Sequence, residues 1–575
     1  MTSSHPEHVW AAADLLHIPD SDILSFTFYQ INHLDPHRPI FLEAKDPHLS
    51  YSALQVRQRV RQLAKGLRHH GLNPGDCVCL HSYNNIHYPV LWLGIIAAGG
   101  IVSGSNPAYT ASELTRHFHL TRPKFIITQS DALPPILQAT AASGIPSSNV
   151  FCLGSRDDQL SPDNDCKSWI SLLNFGEYDW QQDQPGDRPT QSRIAVYAMT
   201  SGTTGLPKAA LIPHRYLVAQ TAMLEARVGR SAYQPSQLIC LPVFHAFASP
   251  LALVIPLRLG IPTYFLPRFN LADFTAAIHR FSITDCPVVP PIIAAMNRLS
   301  TEDQYLVKSL RYVVCAGAPM TASVQTQLYS LLSPDAVIAQ CLGTTETGWL
   351  TLFDPGEKDT SGSVGRLMPN VELKLVDENG NVISKDDVPG EGFVRTPVLF
   401  SGYLGNAQET AASLDPQGFY GTGDLLYVHN NKVFHDGRIK EIMKVNGWQV
   451  SPSELEGVLL QHPRIMDVGV VGRSSLNPSG IPETLPRAYV VRRPFRPSDT
   501  SPLSEDEVKT FLASKVISYK QLKGGVAFVK AIPRSNTGKI LRRLLEQAEI
   551  DDSDNLSRSE QPKKLQVVLR GVYRP

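Results

Sequence analysis

The chain has 575 residues, more than one hydrophobic core usually holds, so two or more domains are expected. Hydrophobic residues make up 42%, enough for a globular protein, and 53 Lys plus Arg against 53 Asp plus Glu leave no formal net charge. That balance offers no electrostatic footprint for nucleic acid or for an anionic membrane surface. The eight Cys are scattered, with only Cys77 and Cys79 close together, and no metal-ligand spacing occurs. Reduced thiols in a reducing compartment are expected. Met1 to Pro19 lacks the apolar core of a signal peptide. The longest apolar run, Pro89 to Val102, is too short to span a bilayer and reads as a buried helix followed by a strand. The end, Tyr573-Arg574-Pro575, is not a peroxisomal address of the Ser-Lys-Leu type. A cytoplasmic protein is expected.

In chain order, Ser52 to Gly71 reads as an amphipathic helix. Ser52 and Gln55 fit a capping box, and Val56, Val60, Leu63 and Leu67 form one apolar face. Cys77 to Leu80 reads as a strand, His87 to Ala98 as a helix, and Ile101 to Ser103 and Phe125 to Thr128 as further strands. Strands alternating with helices indicate an α/β architecture with a parallel sheet. Ser155 to Ser192 is rich in Asp, Gln, Pro and Ser, and reads as a polar surface excursion. The strand Ile194 to Ala198 then delivers Thr200 to Lys208, TSGTTGLPK.

That loop has the parts of a phosphate cradle. Gly202 and Gly205 let the backbone come close to a ligand, Ser201, Thr203 and Thr204 add hydroxyls, and Lys208 adds a mobile charge. It is neither a Walker A loop, since Lys208 lies between Pro207 and Ala209, nor a Rossmann loop. On residues alone it reads equally well as a phosphate site or a surface turn. His245, in LPVFHAFAS, reads alone as a core histidine. Apolar strands at Val337 to Ala339 and within Arg311 to Met320 lead into small-residue loops, and GTGD at Gly421 to Asp424 reads alone as a turn. Lys440 and Lys444 read as one exposed helical face, and Lys539 as a solvated charge after an Asn-Thr-Gly turn.

Taken together, these stretches resemble, in order, the motifs of the adenylate-forming enzymes, and most of all the 4-coumarate–CoA ligase group. The resemblance covers roughly residues 30 to 545, and its joint motifs are far more specific than any one alone. It implies a large N-terminal domain of packed sheets and helices over residues 1–439. A small mobile α+β domain over 440–548 and a tail over 549–575 would follow. Leu565 to Tyr573 could be disordered or a late docked strand.

The resemblance implies ATP, Mg²⁺ and coenzyme A as co-substrates and a small carboxylic acid as the group transferred, through an acyl-adenylate. For ATP it implies the loop Thr200, Ser201, Gly202, Thr203, Thr204, Gly205 and Lys208 around phosphates. Gly317, Ala318 and Pro319 would lie on adenine with Gln340, Cys341 and Leu342. Thr345 would contact the α-phosphate and Glu346 would hold Mg²⁺. Asp424 and Arg438 would hold the ribose. Cys341 and Leu342 depart from the family's Gly and aromatic residue, and Leu342 covers the base by apolar contact alone. His245 would close an acyl pocket walled by Phe247, Leu251, Val289, Ala318 and Gly343. Lys539 would bridge the acid and the α-phosphate. Lys440 would be the hinge, Lys444 would serve the thioester step, and Arg268, Asn446, Gly447 and Gln449 would meet CoA. Asn446 departs from a common Lys. An acyl-carrier protein is the alternative acceptor, and a non-catalytic nucleotide-binding protein the alternative class. The pocket reads as apolar, so an aryl-propenoic, arylacetic, benzoic or medium-chain fatty acid each fits.

Overall fold

The computed structural model describes residues 8–29, 31–154, 166–180, 192–201, 207–229, 231–318, 320, 322–445, 448–476, 482–494, 501–535 and 538–547. Of the residues expected at the site, Gly202, Thr203, Thr204, Gly205, Pro319, Asn446 and Gly447 lie outside them, as do the side chains of Ser201 and Gln449. The C-terminal stretch Leu565 to Tyr573 lies outside them too.

The helix Ala53–His69 forms as the sequence predicts. Ser52 Oγ accepts from the Gln55 amide, Gln55 Oε1 accepts from the Ser52 amide at 2.8 Å, and Val56, Val60, Leu63 and Leu67 are fully buried. The helix packs on His87–Ala97, whose residues are buried nearly all round, as expected of a helix inside a core. Among the described residues no helix is long and apolar enough to cross a membrane.

Two seven-stranded sheets carry the N-terminal part. The first runs in the order Pro207–Pro213, Ile194–Ser201, Ile101–Gly104, Cys77–His81, Phe125–Gln129, Val150–Leu153, Lys167–Ser168. It is parallel except for the pair Pro207–Pro213 and Ile194–Ser201. The second runs Val337–Gln340, Tyr312–Cys315, Asp285–Val288, Gln237–Ile239, Thr263–Phe265, Pro39–Glu43, Ser50–Ser52, and is parallel except at its last pair. A third sheet is wholly antiparallel and holds Glu372–Val376, Gly390–Arg395, Tyr420–His429 and Lys432–Arg438. Beyond it a smaller part has its own core. Helices Pro452–Leu459 and Glu505–Ala513 pack there with strands Ile465–Leu476, Pro482–Arg492 and Gly525–Phe528. The fold is therefore mixed α/β, with a large N-terminal and a smaller C-terminal portion.

Four local expectations are corrected. The polar excursion is partly core: Trp169 and Leu172 are fully buried in the turn Trp169–Asn174, and the preceding Lys167–Ser168 extends the first sheet. The cause is Gly66, where a Cβ would lie 1.8 Å from the Leu172 carbonyl oxygen, so the missing side chain lets the two backbones touch. Not all eight cysteines are thiols. Cys152 and Cys166 form a disulfide, because neighbouring parallel strands bring the segments together with Cα atoms 6.0 Å apart. GTGD lies inside the strand Tyr420–His429 rather than in a turn, with Gly423 at φ +69° beside an irregular register. Lys440 and Lys444 share no helix face, since Ile439–Glu441 is a short 3₁₀ turn and Met443–Val445 a strand.

Buried histidines should make the N-terminal part acid-sensitive. His81 and His117 pair with the Ser105 and Ser103 hydroxyls at 2.8 and 2.9 Å, and His214 Nδ1 accepts from the Ile23 amide. Burial pushes each ring down to about 4 from 6.5. A ring whose folded pKa is depressed stabilises fully above the unfolded value. That contribution is lost as pH falls from about 6.5 towards 4, at a cost of the order of a few kcal/mol. Hydrogen-exchange protection of Cys77–His81 and Ala111–Thr121 should therefore drop between pH 7 and pH 5. Equal protection factors at both values would contradict these assignments.

Candidate active site

Four neighbouring strands of the second sheet, Val337–Gln340, Tyr312–Cys315, Asp285–Val288 and Gln237–Ile239, run parallel. The loops after their carboxyl ends line one cavity of about 1870 Å³, the usual place for a ligand on such a sheet. The C-terminal portion closes it with Ser535, Gly538, Lys539 and Arg542.

One wall is polar. Asp424 and Arg438 face each other across Tyr420–His429 and Lys432–Arg438, with Arg438 Nε 3.1 Å from Asp424 Oδ1. Asp424 is 2% exposed, yet its carboxyl is held below the usual range. Burial pushes it up, but His435, Arg438 and Lys539 outweigh this. His435 Nε2 stands 3.4 Å from the same oxygen. Oδ1 is thus held by two charged neighbours, neither of them in good hydrogen-bond geometry. Gln340 is half-satisfied. Its Oε1 accepts from the Met320 amide at 3.2 Å, while Nε2 has no partner among the described residues. A buried carboxylate and a half-satisfied amide on a cavity wall suit a polar ligand, and a nucleoside offers both donors and acceptors. Gly317 takes φ +94°, and it lines the cavity with Ala316, Ala318, Gln340, Cys341 and Leu342.

Lys539 enters this wall from the other portion of the chain. Arg534 fixes its turn, donating to the Gly538 carbonyl and to Asp467, each at 2.7 Å. Gly538, at φ +81°, rests on Val289 and Pro291, where an added Cβ would sit 3.4 Å from each. The Lys539 ammonium lies below its ordinary pKa, chiefly through burial and then through Arg438, with Asp424, Glu441 and Glu346 acting the other way. Beside it His245 is neutral: burial and the Lys539 charge push the ring down to about 4, and Nδ1 accepts from the Phe247 amide at 3.3 Å.

The apolar wall continues through Phe247, stacked on Trp349 at 5.1 Å, with Val289, Ala318 and Gly343. Leu251 is not part of it. It lies in the core one layer behind, in the turn Pro250–Val254, where its carbonyl accepts from Gln237. Lys208 and Glu346 do not line the cavity either. They meet at Tyr403, which sequence reasoning missed. Its hydroxyl donates to Glu346 Oε1 at 2.7 Å and its ring lies 5.3 Å from Lys208 Nζ. Lys208 is ion-paired with Glu409, also missed. Thr345 does line the cavity, and its carbonyl accepts from Tyr216. Thr200 pairs with Lys208 across the strands that open the glycine-rich loop.

Arg268 is at the cavity's edge, and Lys440 and Lys444 are exposed away from it. Lys444 pairs with Gln449 across the hairpin Met443–Val445 and Trp448–Val450. Among the described residues no cluster of three or more His, Cys, Asp or Glu could hold a metal. A single carboxylate such as Glu346 still fits Mg²⁺, which commonly takes one or two carboxylates plus substrate phosphates.

The AMP-binding enzyme family matches residues 30–404, and the AMP-binding enzyme C-terminal domain matches 454–539. Phenylacetyl-CoA ligase epaB of Aspergillus niger is 42% identical over 92% of this chain and 97% of its own. Nicotinic acid-CoA ligase pyr1 of Aspergillus fumigatus is 33% identical over 92% and 96%. In structure, the anthranilate CoA ligase AuaEII in complex with anthranoyl-AMP superposes with a TM-score of 0.80, at 22% identity over 94% of this chain and 99% of that one. The chain belongs to the adenylate-forming, AMP-binding enzyme family, and it is an acid–thiol ligase of the acyl-CoA synthetase kind.

Proposed function

We propose that this enzyme joins an aromatic monocarboxylic acid to coenzyme A in two steps within one cavity. The observation that carries the reading is the meeting of Lys539 with His245, Asp424 and Arg438, groups drawn from both portions of the chain. The acid's class is suggested by the small apolar wall and by the relatives, whose names specify phenylacetic and nicotinic acids.

In the first step a carboxylate oxygen attacks the α-phosphorus of ATP. The bond to the β-phosphate bridging oxygen breaks, giving acyl-AMP and pyrophosphate. Two anions must meet, so the barrier is largely electrostatic. Lys539 lies between carboxylate and α-phosphate, and Thr345 donates to the same phosphate. Neutral His245 can donate to the acid through Nε2 without adding charge. Asp424 accepts from the ribose hydroxyls, its charge kept by Arg438 and His435. Gly317, Ala318 and Leu342 cover adenine. Lys208 leaves Glu409 for the departing pyrophosphate, beside the loop from Thr200 to Gly205. Glu346 would hold Mg²⁺, which supplies charge neutralisation on the triphosphate.

In the second step the CoA thiolate attacks the acyl carbon and AMP leaves. The C-terminal portion would turn about Lys440, withdrawing Lys539 and presenting Lys444, Asn446, Gly447 and Gln449, with Arg268 on a CoA phosphate. Such a rotation separates two incompatible half-reactions in time.

The test is acid-dependent pyrophosphate release from ATP over a panel of aromatic and aliphatic acids, with and without CoA. The expected result is turnover with an aromatic acid, accelerated by CoA and yielding AMP and thioester. Release without any CoA effect would point to a carrier-protein acceptor, and no release with any acid would overturn the reading. Within the same assay Asp424→Asn should raise the KM for ATP by roughly ten- to a hundred-fold, because one acceptor becomes an N–H donor facing a hydroxyl and Arg438. An unchanged KM would remove Asp424 from the ribose site.

A further inference from the structure

We infer that Glu409 is a positioning residue that holds Lys208 between turnovers and competes with pyrophosphate for it, so that this product is released. The inference rests on the ligase reading above, which puts Lys208 on the departing phosphates. It adds the group that takes Lys208 back.

Lys208 Nζ donates to Glu409 Oε1, with the two side chains 12% and 31% exposed. The pair is not needed to fix the strand that carries Lys208. Pro207–Pro213 is held along one edge by Ile194–Ser201. Along the other edge the backbone of Ser401–Leu404 docks on it. The Ser401 amide donates to the Leu211 carbonyl and the Leu211 amide to the Gly402 carbonyl, both at 2.8 Å. The Leu404 amide donates to the Ala209 carbonyl at 2.9 Å. These bonds fix the strand with or without the ion pair, and a partly exposed pair contributes little stability of its own.

The carboxylate is set in place by its own segment. Asn406 Nδ2 donates to Glu409 Oε2 at 3.2 Å, and Asn406 Oδ1 accepts from the Glu409 amide at 3.1 Å as the cap of the helix Ala407–Ala412. Glu409 therefore offers Oε1 to Lys208 from a fixed position. The Tyr403 ring lies 5.3 Å from Lys208 Nζ, and its hydroxyl donates to Glu346. Thr410 Oγ1 accepts from the Tyr403 amide at 2.9 Å, tying that ring to the same helix. One short segment, Ser401 to Thr410, thus carries both the receiver for Lys208 and the hydroxyl that orients Glu346.

An ammonium held by a carboxylate is not available to a phosphate. The apparent affinity of any phosphate for Lys208 is reduced by the fraction of time that Lys208 is free. ATP and pyrophosphate are weakened alike, but not with the same result. ATP keeps its contacts on the nucleoside side of the site, at Asp424, Gln340 and Gly317. Pyrophosphate, once cut free, depends on the phosphate side alone. Competition by Glu409 therefore falls hardest on the product.

The test is calorimetric titration of magnesium pyrophosphate into the full-length protein and into Glu409→Gln, which keeps the size of the side chain and removes its charge. The Kd for pyrophosphate is expected to fall by roughly ten-fold in the variant. In turnover the KM for ATP should fall and inhibition by added pyrophosphate should strengthen, while kcat does not rise. A purely structural pair predicts the opposite, since its loss would loosen the site. Pyrophosphate binding that is unchanged or weaker in Glu409→Gln overturns the inference, and so does absence of binding to both proteins. The gain must act through Lys208, so Glu409→Gln should add nothing in a Lys208→Ala background, and a gain that persists there overturns it too. Should Glu409→Gln fail to fold, Asn406→Ala, which releases the carboxylate from its hold, is read in the same way. The titration uses no acid. Tightening of pyrophosphate in a protein that turns over no acid would therefore sink the ligase reading and leave the competition between Glu409 and phosphate standing.

Discussion

Lys539→Ala should lower acid-dependent pyrophosphate formation by roughly 10²–10³, while the enzyme still converts added acyl-AMP and CoA to thioester at close to the normal rate. The size follows from where the charge sits. Lys539 enters a cavity whose walls exclude much of the water, and there one cation between two anions counts for more than it would in solvent. Its surroundings keep it poised. Burial and Arg438 pull its pKa down, while Asp424, Glu441 and Glu346 hold it up. Lys539→Arg should recover part of the rate only, because a planar guanidinium on a longer stem cannot take the position of a compact ammonium. The half-reactions can be read separately by pyrophosphate release and by thioester formation from synthetic adenylate. Equal losses in both would mean that Lys539 supports the cavity as a whole rather than the first step, and full pyrophosphate activity would remove it from the chemistry.

The parts of the fold legible in the sequence are those set by local pattern. The helix Ala53–His69 shows its apolar spacing and its capping box. The strands Cys77–His81 and Phe125–Gln129 show as short apolar runs between turn signals. What depends on partners distant in the chain was not legible. Trp169 and Leu172 sit in a stretch whose polar composition reads as surface, and only the approach permitted by Gly66 makes them core. The Cys152–Cys166 pairing depends on strand order, which cysteine spacing does not encode.

The same distinction holds at the site. Ordered motifs led to His245, Gln340, Thr345, Asp424, Arg438 and Lys539, all of which line one cavity. Leu251 lies two residues beyond the His245 motif, and no local signal tells a wall residue from the layer behind it. Tyr403 and Glu409 belong to a segment, FSGYLGNAQET, that carries no charged motif of its own, yet they hold Glu346 and Lys208. His435 belongs to no motif, and only the register sets it near Asp424.

Arg542→Met should destabilise the C-terminal portion by about 3–5 kcal/mol, the cost of stranding a buried charge. Arg542 Nη2 donates to Glu456 Oε2 at 3.1 Å and Nε to Glu441 Oε2 at 2.7 Å, while Nη1 reaches Glu456 Oε1 and the Val470 carbonyl. Glu456 is 8% exposed, and its carboxyl is already raised by burial even with Arg542 opposing that shift. Without the guanidinium it rises further, and the pH dependence takes a definite sign. A carboxyl with a folded pKa above its unfolded value binds a proton more readily when folded, so its contribution is present at low pH and lost as pH rises. The variant should therefore be more stable near pH 5 than near pH 8. Adding Glu456→Gln should restore much of the loss, since an amide removes the stranded charge. Because the chain has more than one cooperative unit, hydrogen exchange in Pro452–Leu459 and Ile465–Leu476 is a better readout than a single melting temperature. The consequence reaches catalysis. Arg542 lies three residues after Lys539 and binds Glu441 next to Lys440, so one side chain ties the Lys539 turn both to the C-terminal core and to the segment about which that portion would rotate. Loss of adenylation in Arg542→Met should exceed what its lowered stability explains. Recovery of stability in the double variant without recovery of adenylation would assign Arg542 to positioning Lys539. Recovery of both together would make its role structural alone.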